Sequence, residues 1–222
     1  MAPTTTILIG APLEGHEARC LEQLTELLEG RDSLLLANFN VNRREIDFVV
    51  VQPHFAVLLE LKNLDGPIHG GMNGSWALTN RSGARVPYPG RNPYDQTVTA
   101  KFALADAMRD FAASGRAPSA LRGSFVKEVD AILCIAPDID PGSTVTRGDF
   151  KAYVAGFPEV AQVLVERSKP LAWSLADWKN FAVDWLQLSE VSLGEAIDAR
   201  VHAAAARVER YTTTLATLLN EM

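Results

Sequence analysis

An aspartate, a glutamate and a lysine sit inside two consecutive apolar runs of this chain, where plain core strands would carry none of them. The runs are Glu45-Ile46-Asp47-Phe48-Val49-Val50-Val51 and Val57-Leu58-Leu59-Glu60-Leu61-Lys62-Asn63. Between them, Gln52-Pro53-His54-Phe55-Ala56 has the composition of a short turn, so the pair reads as a β-hairpin. A turn centred on Pro53 and His54 sets Asp47 directly opposite Glu60, with Cβ atoms about 4.5–5.5 Å apart. Lys62 shares their face, because strand side chains alternate with period two. Two carboxylates crowded at the edge of an apolar sheet repel each other and lose hydration; a bridging divalent cation or a proton relieves both costs. The chemistry indicated is a metal site with a lysine beside it. For Asp47 and Lys62 in isolation, the simpler account is a partly buried cross-strand salt bridge with Glu60 turned to solvent.

Three further blocks bear on that choice. Asn63-Leu64-Asp65-Gly66 follows the second run, Gly15-His16-Glu17 opens an upstream helix, and Asn92-Pro93-Tyr94-Asp95-Gln96 opens a downstream one. A lone Glu-x-Lys triplet arises by chance in most chains of this size. In this order and context, however, the blocks resemble the PD-(D/E)XK nuclease superfamily, and within it the nuclease-related domain (NERD), over about residues 12–136. The acidic position of the first helix is open between Glu17 and Glu14, since His16 separates Gly15 from Glu17.

The resemblance implies an α/β fold: a mixed central β-sheet flanked by helices, with an αβββαβ core like that of restriction endonucleases. It implies that Asp47, Glu60 and the backbone carbonyl of Leu61 hold one or two Mg²⁺ ions, Mn²⁺ being the substitute. Lys62 then orients the attacking water and stabilises the transition state, Gln96 positions substrate or water, and Glu17 adds a water-mediated contact. The implied activity is a metal-dependent phosphodiesterase, a nuclease acting on DNA. The alternative is a catalytically idle module that keeps the fold to bind nucleic acid or dock a partner.

Composition is that of a folded domain able to bury a sizeable core, with 47% apolar and 22% charged residues in 222. No apolar stretch approaches the roughly 20 residues that cross a bilayer. The start, Met-Ala-Pro-Thr-Thr-Thr, lacks the pattern of a signal peptide. Cys20 and Cys134 read as buried free thiols, which suits a reducing, cytoplasmic address. The net charge of −6 opposes broad nucleic-acid binding, so phosphate contacts must come from a local basic rim. Candidates for it are Arg43, Arg44, Arg81, Arg85, Arg91 and Lys101, each of which taken singly is more simply a solvated surface charge.

The elements that must position these residues follow from periodicity. Residues 13–29 are helical and stop at Gly30; strands cover 33–39, 45–51 and 56–62. A peripheral hairpin is expected around Asn80-Arg81-Ser82-Gly83, a helix over 93–113 and a buried strand over 128–135. Residues 1–137 thus form the nuclease-like core and 138–222 a mainly helical extension packed on it. In the extension, Ser174-Leu175-Ala176-Asp177 caps a helix to about Gln187, and Ser192-Leu193-Gly194-Glu195 caps a long one to about Leu219. The apolar stripe of that last helix suits packing on the core, a homodimer seam, or a helicase or other protein partner. His16, His54, His69 and His202 show no ligand spacing, and the four tryptophans read as core anchors.

Overall fold

The computed structural model describes residues 3–116 and 125–199. The chain opens on β1 (Thr5–Ile9) and α1 (Gly15–Leu27), followed by the three strands β2 (Ser33–Val41), β3 (Arg44–Gln52) and β4 (Phe55–Asn63). Short strands β5 (Ile68–Gly70), β6 (Ala77–Thr79) and β7 (Arg85–Pro87) lead to α2 (Pro93–Ala113) and β8 (Asp130–Ala136). Then come β9 (Thr144–Val145), β10 (Tyr153–Gly156), α3 (Phe157–Glu166), α4 (Leu175–Asn180) with a π-helical turn over Phe181–Trp185, and β11 (Ser189–Val191). A helix also covers 193–199; the rest of the long helix expected to Leu219, with His202, lies outside the described residues.

A seven-stranded mixed sheet in the order β10-β8-β4-β3-β2-β1-β11 forms the centre. The expected helix–three strands–helix–strand order is present in it as α1, β2–β4, α2 and β8. Its inner strands are apolar on both sides because helices cover both faces. On one face Leu21 and Leu24 of α1 and Val160 and Leu164 of α3 pack on Phe48, Val50 and Val57. On the other, Leu104, Met108 and Phe111 of α2 and Trp178 of α4 pack on Val49, Val51 and Leu58. Both cysteines are buried and free on the α1 side. The expected peripheral hairpin is β6–β7, part of a second, four-stranded sheet.

Local chemistry sets the helix starts. Asn92 caps α2 by accepting from the backbone N–H groups of Tyr94 and Asp95, and Pro93 sits in the first turn. At α1, Glu14 is the N-cap, and its N–H donates to Glu17 Oε2 at 2.5 Å in a capping box. Ser192 and Glu195 make the capping box expected of them.

The sheet also contains strands that the sequence pattern does not announce. β1 inserts beside β2 in parallel, β11 closes one edge and β10 the other. Residues past 137 therefore supply both edge strands as well as helices. Strands of three to five residues at or next to a sheet edge owe their conformation to the partners they pair with, so local periodicity carries little trace of them. The same residues share the core of the first 137: Phe111 and Phe125 contact Trp173, which in turn packs on Trp178 and Phe181. Trp76, Trp173 and Trp178 are the largest fully buried side chains.

Removing one of these anchors tests whether the two parts fold as one. Trp178→Ala should cost about 3–5 kcal/mol. In urea denaturation the whole sheet should unfold in one transition, at a lower midpoint and with an unchanged slope. A separate early transition confined to the C-terminal part would show two independent units.

Candidate functional site

Asp47 occupies a fault in the sheet. The β3–β4 ladder runs from Gln52↔Phe55 to Phe48↔Leu59 and ends there, one step before Asp47 and Glu60. The β2–β3 ladder pairs Ala37↔Phe48 and Phe39↔Ile46 but skips the step between them, where Asn38 faces Asp47 with φ 44°. Face alternation breaks at the same place: Ile46 and Val49 belong to the α2 side while Phe48 belongs to the α1 side. With the regular bonding gone, Asp47 Oδ2 itself accepts the Leu61 N–H at 2.6 Å. Asn38, buried in an otherwise apolar strand, donates through Nδ2 to the Pro12 carbonyl at 2.7 Å. Its position in Leu34-Leu35-Leu36-Ala37-Asn38 was the sequence signal for this fault, because a buried amide in such a run calls for a specific partner.

Glu60 is 7% exposed, and Lys62 Nζ donates to its Oε1 at 2.6 Å. Burial, then the Glu60 charge, push the Asp47 carboxyl up to about 7, against the opposing pull of the Leu61 N–H and of Lys62. Burial works against the Lys62 ammonium as well, but Glu60 and Asp47 outweigh it and raise its pKa. The lysine thus stays a cation. The plain salt-bridge account fits only partly: Lys62 binds Glu60 rather than Asp47, and Glu60 is buried rather than solvated. Lys62 is spent on Glu60, and the raised Asp47 pKa shows that a bound cation or a proton there would relieve the crowding of the two carboxylates.

Gln96 lines the same cleft from the first turns of α2, and its Oε1 is buried without a hydrogen-bond partner. The oxygen-bearing side chains that line the cleft are Asn40, Glu45, Asp47, Glu60 and Gln96, a set suited to Mg²⁺ or Mn²⁺; sequence reasoning passed over Asn40 and Glu45. Among the described residues no group of three or more His, Cys, Asp or Glu side chains is placed to hold a metal. A metal held here would be an open one, completed by waters and a carbonyl such as that of Leu61. Glu17 is buried on α1, where burial raises its pKa, and its charge adds to the rise at Asp47. It does not line the cleft, and one of its oxygens is spent on the capping box. Glu14, the other acidic position of that helix, is an exposed N-cap.

The cleft measures about 360 Å³, and Arg43, Arg44 and Arg91 border it. Arg43 closes a two-residue turn between β2 and β3, with Asn42 at φ 48° and Arg43 at φ 63°. Left-handed backbone costs a residue such as arginine about 1–2 kcal/mol. The turn accepts that cost and leaves two successive guanidinium groups beside the carboxylates. The other members of the expected basic rim are elsewhere. Arg81 and Arg85 are exposed on the β6–β7 hairpin, outside the cleft. Lys101 is 5% exposed and donates to the Lys151 carbonyl at 2.9 Å in a separate niche. A lysine one position from Ala100, which does line the cleft, points around the helix and away from it.

The folded-state pKa of Asp47 lies above the ordinary value of 3.8, so its ionised form subtracts stability, most fully above about pH 7. Asp47→Asn removes the repelled charge and keeps an acceptor for Leu61. With chelator present at pH 8, it should raise the melting temperature by roughly 2–8 °C. A lower melting temperature would mean that the charge is compensated within the protein.

These residues are also where comparison with known proteins finds its match. The family model of the nuclease-related domain aligns with residues 13–134, from just before α1 to within β8. Curated proteins and solved structures give no match. The matched stretch is just over half of the chain and contains Asp47, Glu60, Lys62 and Gln96 together with the sheet fault that gathers them. The chain belongs to the nuclease-related domain (NERD) family.

Proposed function

We propose that this protein is a metal-dependent phosphodiesterase, a nuclease that cleaves DNA by attack of water on the phosphodiester. One observation carries the reading: the half-buried Asp47, the buried Glu60, Lys62 and Gln96, whose side-chain oxygen has no partner, line one cleft that arginines border. Asp47 and Glu60, with the Leu61 carbonyl, would hold Mg²⁺ or Mn²⁺. When bound, the metal would supply an acidified water and offset charge growing on the phosphate.

The remaining work falls to the chain's own groups. Lys62 spends one of its three donors on Glu60 and keeps two for the attacking water or a phosphoryl oxygen. It acts as a fixed positive charge where negative charge develops, a role worth about 10²–10³ in rate. Gln96 positions the water or the substrate through the oxygen that the folded protein leaves unsatisfied. Arg43, Arg44 and Arg91 hold the phosphates on either side of the scissile one, bidentately where geometry allows. A carboxyl pKa raised as that of Asp47 is, in a cleft, is the electrostatic mark of a working site. An idle descendant could shed the repulsion between Asp47 and Glu60 with an amide at position 47 that still accepts from Leu61.

The acidic total charge confines phosphate contacts to this small rim, so affinity should fall with salt along the modest slope of a few contacts. The two buried free thiols support a reducing compartment, the cytoplasm, as its address. Among the described residues no helix is long and apolar enough to cross a membrane.

Cleavage of supercoiled plasmid and of a labelled linear duplex tests the reading. Wild type should cut with Mg²⁺ or Mn²⁺ and not with EDTA, and Lys62→Ala should lose at least about 100-fold in rate. Folded wild-type protein that cuts under none of these conditions would favour the idle binding or docking module. Equal cutting by both proteins would remove Lys62 from the site.

A further inference from the structure

The loop before β10 displays a side chain for which the cleft has no use. Phe150 is 90% exposed, although a phenylalanine ring ordinarily finds cover. The loop beneath it is tightly built. Asp149 accepts from the Tyr94 hydroxyl at 2.5 Å and from the Lys151 N–H at 2.7 Å, while its own N–H donates to the Ala152 carbonyl at 2.9 Å. Val154 N–H donates to the Arg147 carbonyl at 2.8 Å, closing the turn. Lys101 reaches out of α2 to the Lys151 carbonyl. Gly148, at φ +104°, has no room for a Cβ against the Ala152 carbonyl. Burial and the Asp149 bond push the Tyr94 hydroxyl up to about 12, so it remains a donor across the neutral range. The ring is therefore held out on a stiff support, and binding to it costs little ordering.

The chemistry around the ring is cationic. Lys151 sets its ammonium 5.8 Å from the ring centroid. Behind the ring lies a niche of about 90 Å³ to which Lys101, Arg167 and Asp130 contribute. Arg167 and Lys169 both hold Asp130, at 2.8 and 2.6 Å. Lys101, Lys151 and Arg167 line the niche against Asp130 and Asp149, three cations to two carboxylates; Lys169 adds a fourth through its bridge to Asp130, and Lys101 is itself buried. In a chain with a net charge of −6, this is a local reversal of sign. An open aromatic face beside excess cations fits a nucleotide, with the base stacked on the ring and phosphates near the cations. Tyr94, which holds the loop, and Gln96, which lines the cleft, belong to the same end of α2.

We infer that Phe150 is a stacking platform for an unpaired nucleobase, so that the protein takes single strands or frayed ends as substrate. This rests on the nuclease reading for its substrate but not for its test. Bases inside a duplex have their faces covered by neighbours and cannot use the ring, whereas an unpaired base can.

The test uses the full chain in EDTA and fluorescence anisotropy of a labelled oligothymidine strand and of a blunt duplex. Phe150→Ala should weaken strand binding about 10-fold, in line with roughly 1–3 kcal/mol per stacked base. Phe150→Trp should restore it, and emission of the added indole should fall as the strand binds. Duplex affinity should change less than about 2-fold, since its bases are already stacked. Equal strand affinity of wild type and Phe150→Ala overturns the inference, as does an equal loss on strand and duplex, or no strand binding by wild type. A dimer that Phe150→Ala converts to monomer with strand affinity intact assigns the ring to a second copy and also overturns it. Strand binding that needs Phe150, in protein that cuts nothing with Mg²⁺ or Mn²⁺, sinks the nuclease reading and leaves the platform standing. Cutting with strand affinity indifferent to Phe150 does the reverse.

Discussion

A half-buried and a buried carboxylate, Asp47 and Glu60, lie side by side where an apolar hairpin ladder ends, and much of the local architecture follows from accommodating them. A regular ladder through Asp47 would bury its carboxylate with no polar partner. Instead the ladders on both sides of β3 lapse there, and Asp47 takes the Leu61 N–H that a strand carbonyl would otherwise receive. Lys62 neutralises Glu60, which leaves Asp47 to bear the unmet charge. The protein by itself holds this charge at a cost, as functional sites commonly do.

The frame around that fault is rigid because both faces of the sheet are covered. α1 closes one side and contributes the buried Glu17 charge; α2 closes the other and contributes Gln96. α2 has further duties, since Asn92 fixes its start and Tyr94 ties down the loop that carries Phe150. One helix end thus joins the cleft to a second surface. The residues past 137 are structural partners in this frame, through edge strands and through an aromatic cluster that packs on α2.

Charge is distributed against the average of the chain. An acidic protein repels polyanions at long range, yet here three arginines gather at one cleft and a lysine-rich niche lies beneath Phe150. Two of those arginines stand in or next to a left-handed turn, so backbone geometry rather than abundance delivers the positive charge. Composition reports only the sum and is blind to this placement.

The elements that carry strong local signals are legible in the chain alone. The α1, β2–β4 and α2 segments and the register of the β3–β4 hairpin, which sets Asp47 level with Glu60 one step past the end of the ladder, follow from alternation, capping residues and a short turn. These are interactions between near neighbours in the chain. Tertiary structure decided what depends on distant partners. β1, β10 and β11 exist as strands through pairing, with little periodicity of their own. Arg91 and Lys101 are similar charges, each five residues from Gln96, yet Lys101 turns into a niche while Arg91 borders the cleft. Lys62 chose Glu60 over Asp47, and Asp47 fell into a fault that Asn38 shares from the adjacent strand. Which side chains face one another across a sheet or around a helix is fixed only when the elements pack, because burial and desolvation act on the assembled surface and not on the chain.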